Sequence, residues 1–195
     1  MNQTLVDLLK ELEQFGIEND SRVKNRAERM LNITPDTGPF LVLLIRALKV
    51  TRVLEIGTSN GYSTLWLAHA VEPLGGRVIT VEISPFKVEI ARRNFARAQM
   101  DSLITVEMTD AGDFFRKQPR EKFDFLFLDS YRAEYPQWWP DIQTVLAPGA
   151  LIVCDNAITH AHELKAFSDA VDKTAGYIIS TVPVGHGQLL ILKET

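Results

Sequence analysis

The sequence predicts one α/β domain with a mostly parallel sheet and helices on both faces. Three observations carry this. Five strand–helix repeats follow one another between residues 52 and 174, and strands linked by helices pair in parallel and are covered on both sides. Two closing apolar segments are joined by Pro183-Val184-Gly185-His186-Gly187, a loop short enough for an antiparallel hairpin. The chain's 195 residues suit a single domain and leave little room for another.

Each element has its own signal. Leu5, Leu8, Leu9, Leu12 and Phe15 fall at helical spacing, so an amphipathic helix opens the chain. The basic stretch Arg22 to Arg29 reads as a second helix with a solvated face. Thr34-Pro35-Asp36 starts a further helix that runs through Phe40, Leu41, Leu44 and Leu48. Strands are expected at Arg52–Ile56, Arg77–Glu82, Leu103–Glu107, Phe123–Leu128 and Ala150–Cys154. The helices between and after them are Gly61–Ala70, Pro85–Ala98, Ala111–Lys117, Pro136–Val145 and His162–Thr174. Tyr177–Val182 and Gln188–Leu192 form the hairpin. There is no internal repeat, low-complexity segment or linker, so residues 1–195 read as one unit, with 1–50 supplying N-terminal helices and 51–195 the α/β core.

Composition narrows the function classes. Hydrophobic residues make up 46% and charged residues 24%, enough for a full core. The net charge of -4 provides no basic field for nucleic acid. The longest apolar runs, such as FLVLLI at 40–45, are far short of a membrane span. The N-terminus has acidic residues and no basic-then-apolar order, so it does not read as a signal peptide. The single cysteine, Cys154, excludes an internal disulfide and fits a reducing, cytoplasmic setting. It sits in an apolar strand and reads as an inert core residue.

In doubly wound sheets, ligands bind beyond the carboxyl ends of the strands. The first such loop reads Glu55-Ile56-Gly57-Thr58-Ser59-Asn60-Gly61-Tyr62-Ser63. Its glycine spacing, G-x-x-x-G, fits neither the G-x-G-x-x-G dinucleotide pattern nor the phosphate loop, which needs a lysine. Glu55 would repel a pyrophosphate and suits a cationic ligand. The second strand ends in Glu82-Ile83, where an acidic side chain can accept hydrogen bonds from ribose hydroxyls. Together these features point to an adenosyl ligand without phosphate.

VLEIGTSNGYST resembles the motif of the class I S-adenosylmethionine (SAM) methyltransferases, and its Gly-Tyr-Ser ending resembles the catechol and caffeoyl-CoA O-methyltransferase group. The similarity covers roughly residues 30 to 193. It implies a Rossmann-like sheet of seven strands, order 3-2-1-4-5-7-6, with strand 7 antiparallel. It also implies cofactor contacts from Ile33, Thr34, Glu55, Gly57, Thr58, Gly61, Tyr62, Ser63, Glu82, Ile83, Asp110, Ala111 and Asp129. Glu55 and Ser63 would hold the methionine part, Glu82 the ribose, and Asp110-Ala111 the adenine. Asp129, Asp155 and Asn156 match the group's metal ligands. Two carboxylates and an amide oxygen are hard ligands that suit Mg²⁺ or another divalent cation.

Two departures stand out. Where the group commonly has a proton-accepting lysine, this chain has Arg132. Arginine stays protonated and cannot be a general base, though it can stabilise a phenolate or bind an acidic substrate. His160 and His162 are the candidate replacements, with solvent-exposed or capping roles as the alternative. The segment after Asn156 also lacks the group's usual substrate-binding insertion. Tyr131, Tyr135, Trp138 and Trp139 read as core or dimer contacts, or as a stacking surface for a flat acceptor. The expected function is methyl transfer from SAM to a hydroxyl of a small phenolic or catechol-like acceptor, assisted by a divalent metal. The expected assembly is a homodimer that uses neither nucleic acid nor membrane. Metal-independent transfer to another acceptor, or cofactor binding without turnover, are the alternatives.

Overall fold

The computed structural model of the chain describes residues 1–117 and 122–195. The helices are α1 (Gln3–Arg22), α2 (Thr37–Ala47), α3 (Tyr62–Val71), α4 (Pro85–Arg97), α5 (Ala111–Arg116), α6 (Tyr135–Val145) and α7 (Ala161–Asp172). The strands are β1 (Arg52–Ile56), β2 (Arg77–Glu82), β3 (Ile104–Met108), β4 (Phe123–Leu128), β5 (Leu146–Cys154), β6 (Tyr177–Val182) and β7 (Gln188–Lys193). They form one sheet in the order β3-β2-β1-β4-β5-β7-β6. β1 pairs in parallel with β2 and β4, and β7 runs antiparallel to both β5 and β6. This is the strand order, with strand 7 antiparallel, that the family resemblance implies.

Side chains alternate across a strand, so each central strand feeds two cores. Val53, Phe125, Phe127, Leu151 and Val153 face the layer that holds Leu5, Leu9, Leu41, Leu65 and Phe95. Leu54, Leu126, Leu128, Ile152 and Cys154 face the opposite layer, with Phe115, Trp139, Ile142 and Phe167. The Asp124 carboxylate fastens the start of β1 to β4. It takes the Thr51 and Arg52 backbone N–H groups and forms an ion pair with Arg52 at 2.6 Å.

Three expectations change. Arg22 to Arg29 is not a second helix: α1 continues to Arg22, and only the tight turn Arg26–Glu28 follows. The reason lies in Asp20, whose carboxylate takes the backbone N–H groups of Met30 and Leu31 at 2.7 and 2.8 Å. That bond folds the chain back, burying Met30 and Ile33. Phe15 is 43% exposed, so the buried stripe of α1 is Leu5, Leu8, Leu9 and Leu12, satisfied within its own domain. β5 begins at Leu146, four residues early, because a register shift between Phe123 and Phe125 lets it pair around an irregularity. No helix among the described residues is long and apolar enough to cross a membrane.

Candidate active site at the carboxyl ends of the strands

The backbone at the ends of β1, β2, β4 and β5 is laced together. Gly57 donates to the Val81 carbonyl, Asp129 to Ile56 and Asp155 to Leu128, at 3.0, 3.0 and 3.1 Å. Gly57 has φ +105°, and a Cβ there would run into the Asp129 carbonyl oxygen. Gly61 caps α3 at φ +86°, against the Phe95 ring. Both positions therefore need glycine for space as well as for conformation. A cavity of about 760 Å³ opens above these ends, within the size range of small-molecule sites.

One end of the cavity lies over β1, β2 and β3. Glu82 sits there, its carboxylate accepting the Ser59 and Ser84 backbone N–H groups at 3.0 and 2.9 Å. Ile83, Thr58, Tyr62, Ser63, Asp110 and Ala111 also line the cavity. Asp110 caps α5 by accepting from the Asp113 N–H at 3.1 Å. Ile33 borders the cavity from the segment between α1 and α2. That segment, rather than either N-terminal helix, adjoins the space.

Three expected cofactor residues do not reach the cavity. Thr34 bonds Asp36 and Thr37 instead, at 2.6 and 2.8 Å. Gly61 lies behind the loop. Glu55 is wholly buried beneath it. Its carboxylate takes the hydroxyls of Ser63, Thr64 and Thr80 at 2.6, 2.5 and 2.6 Å. Burial outweighs these donors and pushes the carboxyl up to about 7. Glu55 therefore acts on the cavity through Ser63 and, by way of the Thr80 hydroxyl, through Thr58.

The other end lies over β4 and β5. Asp129, Arg132, Asp155, Asn156 and His160 converge there. Burial and the neighbouring charge of Asp155 hold the Asp129 carboxyl well above its usual range, and burial raises Asp155 too. Asp155 accepts from the side-chain amides of Asn156, at 2.8 Å, and Gln188. Asn156 adopts φ +67°, which turns it back beside Asp155. Arg132 is buried, its Nε donating to Glu163 at 2.8 Å. The two histidines part company. His160 lines the cavity with Nδ1 against the Thr159 hydroxyl at 3.0 Å. His162 is 81% exposed and lies outside it.

A family model described as O-methyltransferase matches residues 3–193. The chain belongs to the O-methyltransferase family. It is 34% identical over 131 residues to a catechol O-methyltransferase of Niastella koreensis, covering 66% of this chain and 59% of that protein. It is 37% identical over 141 residues to a catechol O-methyltransferase of Mycobacterium tuberculosis, covering 71% and 62%. The matches thus span about three fifths of those relatives' length. Among solved structures, the O-methyltransferase of Bacillus cereus in complex with SAH superposes with a TM-score of 0.81 at 24% identity, over 96% of this chain and 91% of that one. The Streptomyces achromogenes O-methyltransferase of tomaymycin synthesis, in complex with SAM, gives 0.81 at 25% identity, over 100% and 91%.

Several further residues line the cavity without a signal of their own in the sequence. Arg26, Ser59, Asn60, Lys87, Thr109 and His186 line the space. Ser59 and Asn60 sit within the loop already singled out, so their position was a usable signal. Arg26 lies on the solvated face expected of the basic stretch and also rims the cavity. His186 arrives from the hairpin loop and carries no local signal. Of the four aromatics after β4, Tyr135, Trp138 and Trp139 are core, with Trp138 also touching the cavity, and Tyr131 is 67% exposed at its rim.

Proposed function

We propose that this chain transfers the methyl group of SAM to a hydroxyl of a small phenolic or catechol-like acceptor, with a divalent cation at Asp129, Asp155 and Asn156. The observation that carries the reading is the single cavity joining Glu82 at one end to the Asp129–Asp155 pair at the other. SAM, when bound, supplies an electrophilic methyl on a sulfonium. Glu82 accepts the ribose hydroxyls, Asp110 and Ala111 border the adenine, and Ser63, backed by Glu55, meets the methionine part. Gly57, Thr58, Tyr62 and Ile83 shape the walls.

The donor set fits a hard dication. Asp129 and Asp155 are carboxylates whose charge burial disfavours, and no hydrogen-bond donor among the described residues meets the Asp129 carboxylate. A divalent ion would relieve both costs and acidify the acceptor hydroxyl. His160 would then take the hydroxyl proton at Nε2, since Nδ1 is engaged with Thr159. Arg132 would hold the charge that remains on the acceptor end.

A second reading is favoured by Arg132, whose positive charge eases both Asp129 and Asp155: methyl transfer without a metal. Methylated product from catechol, followed by mass spectrometry with and without chelator, tests both. Loss of product in chelator with recovery on Mg²⁺ supports the metal. Full activity in chelator selects the second reading. Absence of product across a phenol panel, with no rise in melting temperature on adding SAH, refutes both. The assembly we propose is a homodimer. The free, buried Cys154 accords with a cytoplasmic setting.

A further inference from the structure

Arg132 is the only arginine or lysine that is buried among the described residues. Its side chain is 6% exposed, and its sole ion pair among the described residues is monodentate, from Nε to Glu163 Oε2 at 2.8 Å. The two terminal nitrogens make no hydrogen bond among the described residues. Asp129 and Asp155 feel its charge but lie beyond ion-pair distance. Neither terminal nitrogen is sealed from solvent, so Arg132, which lines the cavity, keeps an unpartnered edge that a ligand can meet. Its Nη1–Nη2 edge is a planar fork that matches a carboxylate. Glu163, in the first turn of α7, fixes the plane of that fork by holding Nε.

The surroundings agree with an anion. Arg26 and His186 line the same cavity, and Arg26 and Arg132 both depress the His160 imidazole, after burial. Glu134 is the one further carboxylate on this rim. Tyr131, exposed beside Arg132, offers a flat face at the entrance.

We propose that the terminal edge of Arg132 is a subsite for a carboxylate carried by the acceptor, which makes the preferred acceptor a hydroxylated aromatic acid. This rests on the acceptor end being where the proposed reaction places it. Glu163 is the positioning residue of the subsite, and Arg132 sets specificity.

The test compares 3,4-dihydroxybenzoate with catechol by calorimetry, on protein supplied with SAH and Mg²⁺. Both ligands carry the same hydroxyl pair, so a bound cation favours them alike, and their ratio isolates the carboxylate. The wild type should bind the acid about 10–100-fold more tightly, the range for charge-assisted hydrogen bonds. R132A should bring the ratio close to one, and R132K, which keeps the charge without the fork, should leave it between. Melting temperature confirms that each variant is folded, and R132K carries the test if R132A is not. A ratio near one in the wild type, or a ratio unchanged in both variants, overturns the subsite. SAH binding in the same titrations reports on the cofactor reading separately, and the acid-to-catechol ratio is read whether or not SAH binds.

Discussion

Replacing Glu55 by glutamine removes a charge that the fold accommodates badly. The Glu55 carboxyl is wholly buried and raised to about 7 despite three hydroxyl donors. In the unfolded chain it titrates near 4.5. A folded value above the unfolded one means that the native state binds the proton more tightly. The resulting stability is fully present below the unfolded value and is lost as pH rises through about 7. At 1.36 kcal/mol per pKa unit, the whole contribution is about 3 kcal/mol, of which roughly 2.5 kcal/mol disappears between pH 5 and pH 8. The neutral glutamine has no such dependence. Urea unfolding of wild type and Glu55→Gln, without cofactor, should therefore give a stability difference that shifts by about that amount towards the variant over this range. Pairing the two proteins cancels every other titrating group. Parallel pH curves would refute the reasoning, because they would mean that folding leaves the titration of Glu55 unchanged.

Three further outcomes are expected. Glu82→Gln should weaken SAH binding by about 10–100-fold in calorimetry, since it replaces a charged acceptor with a neutral amide. Gly57→Ala forces alanine to φ +105° against the Asp129 carbonyl; the backbone strain alone costs about 1–3 kcal/mol, and the melting temperature should fall by several degrees or more. His160→Ala should lower kcat by about 100–10,000-fold if it takes the proton, with SAH affinity unchanged; a near-silent variant would assign proton removal to solvent.

The central strands were readable because they are buried on both faces. Phe123–Leu128 is apolar at nearly every position, as a strand covered on both faces must be. The glycines at 57 and 61 were readable for a similar reason: a tight strand-to-helix turn has few chemical solutions. Arg22 to Arg29 was misread because its conformation is set by Asp20, a residue outside the stretch, through bonds to Met30 and Leu31. Glu55 was placed one layer too far forward. Sequence order locates it at the end of β1, but the strand's alternation turns it under the loop, where Thr80 of β2 meets it. His186 and Gln188 were invisible for want of any local pattern. They join the site only because β7 lies beside β5.

That placement of β7 governs the order in which the site can assemble. β6 precedes β7 along the chain but touches the sheet only through it, so β6 has no place to dock until the hairpin has formed. Gln188, the first residue of β7, then slides under Asp155 and braces it, while the loop before it is tied to Asp36 through the Gly185 N–H at 2.9 Å. These partners are 33 and 149 residues apart in sequence, and contacts of such separation are slow to close. The carboxylate at the end of β5 therefore gains its support only once the hairpin has docked beside it.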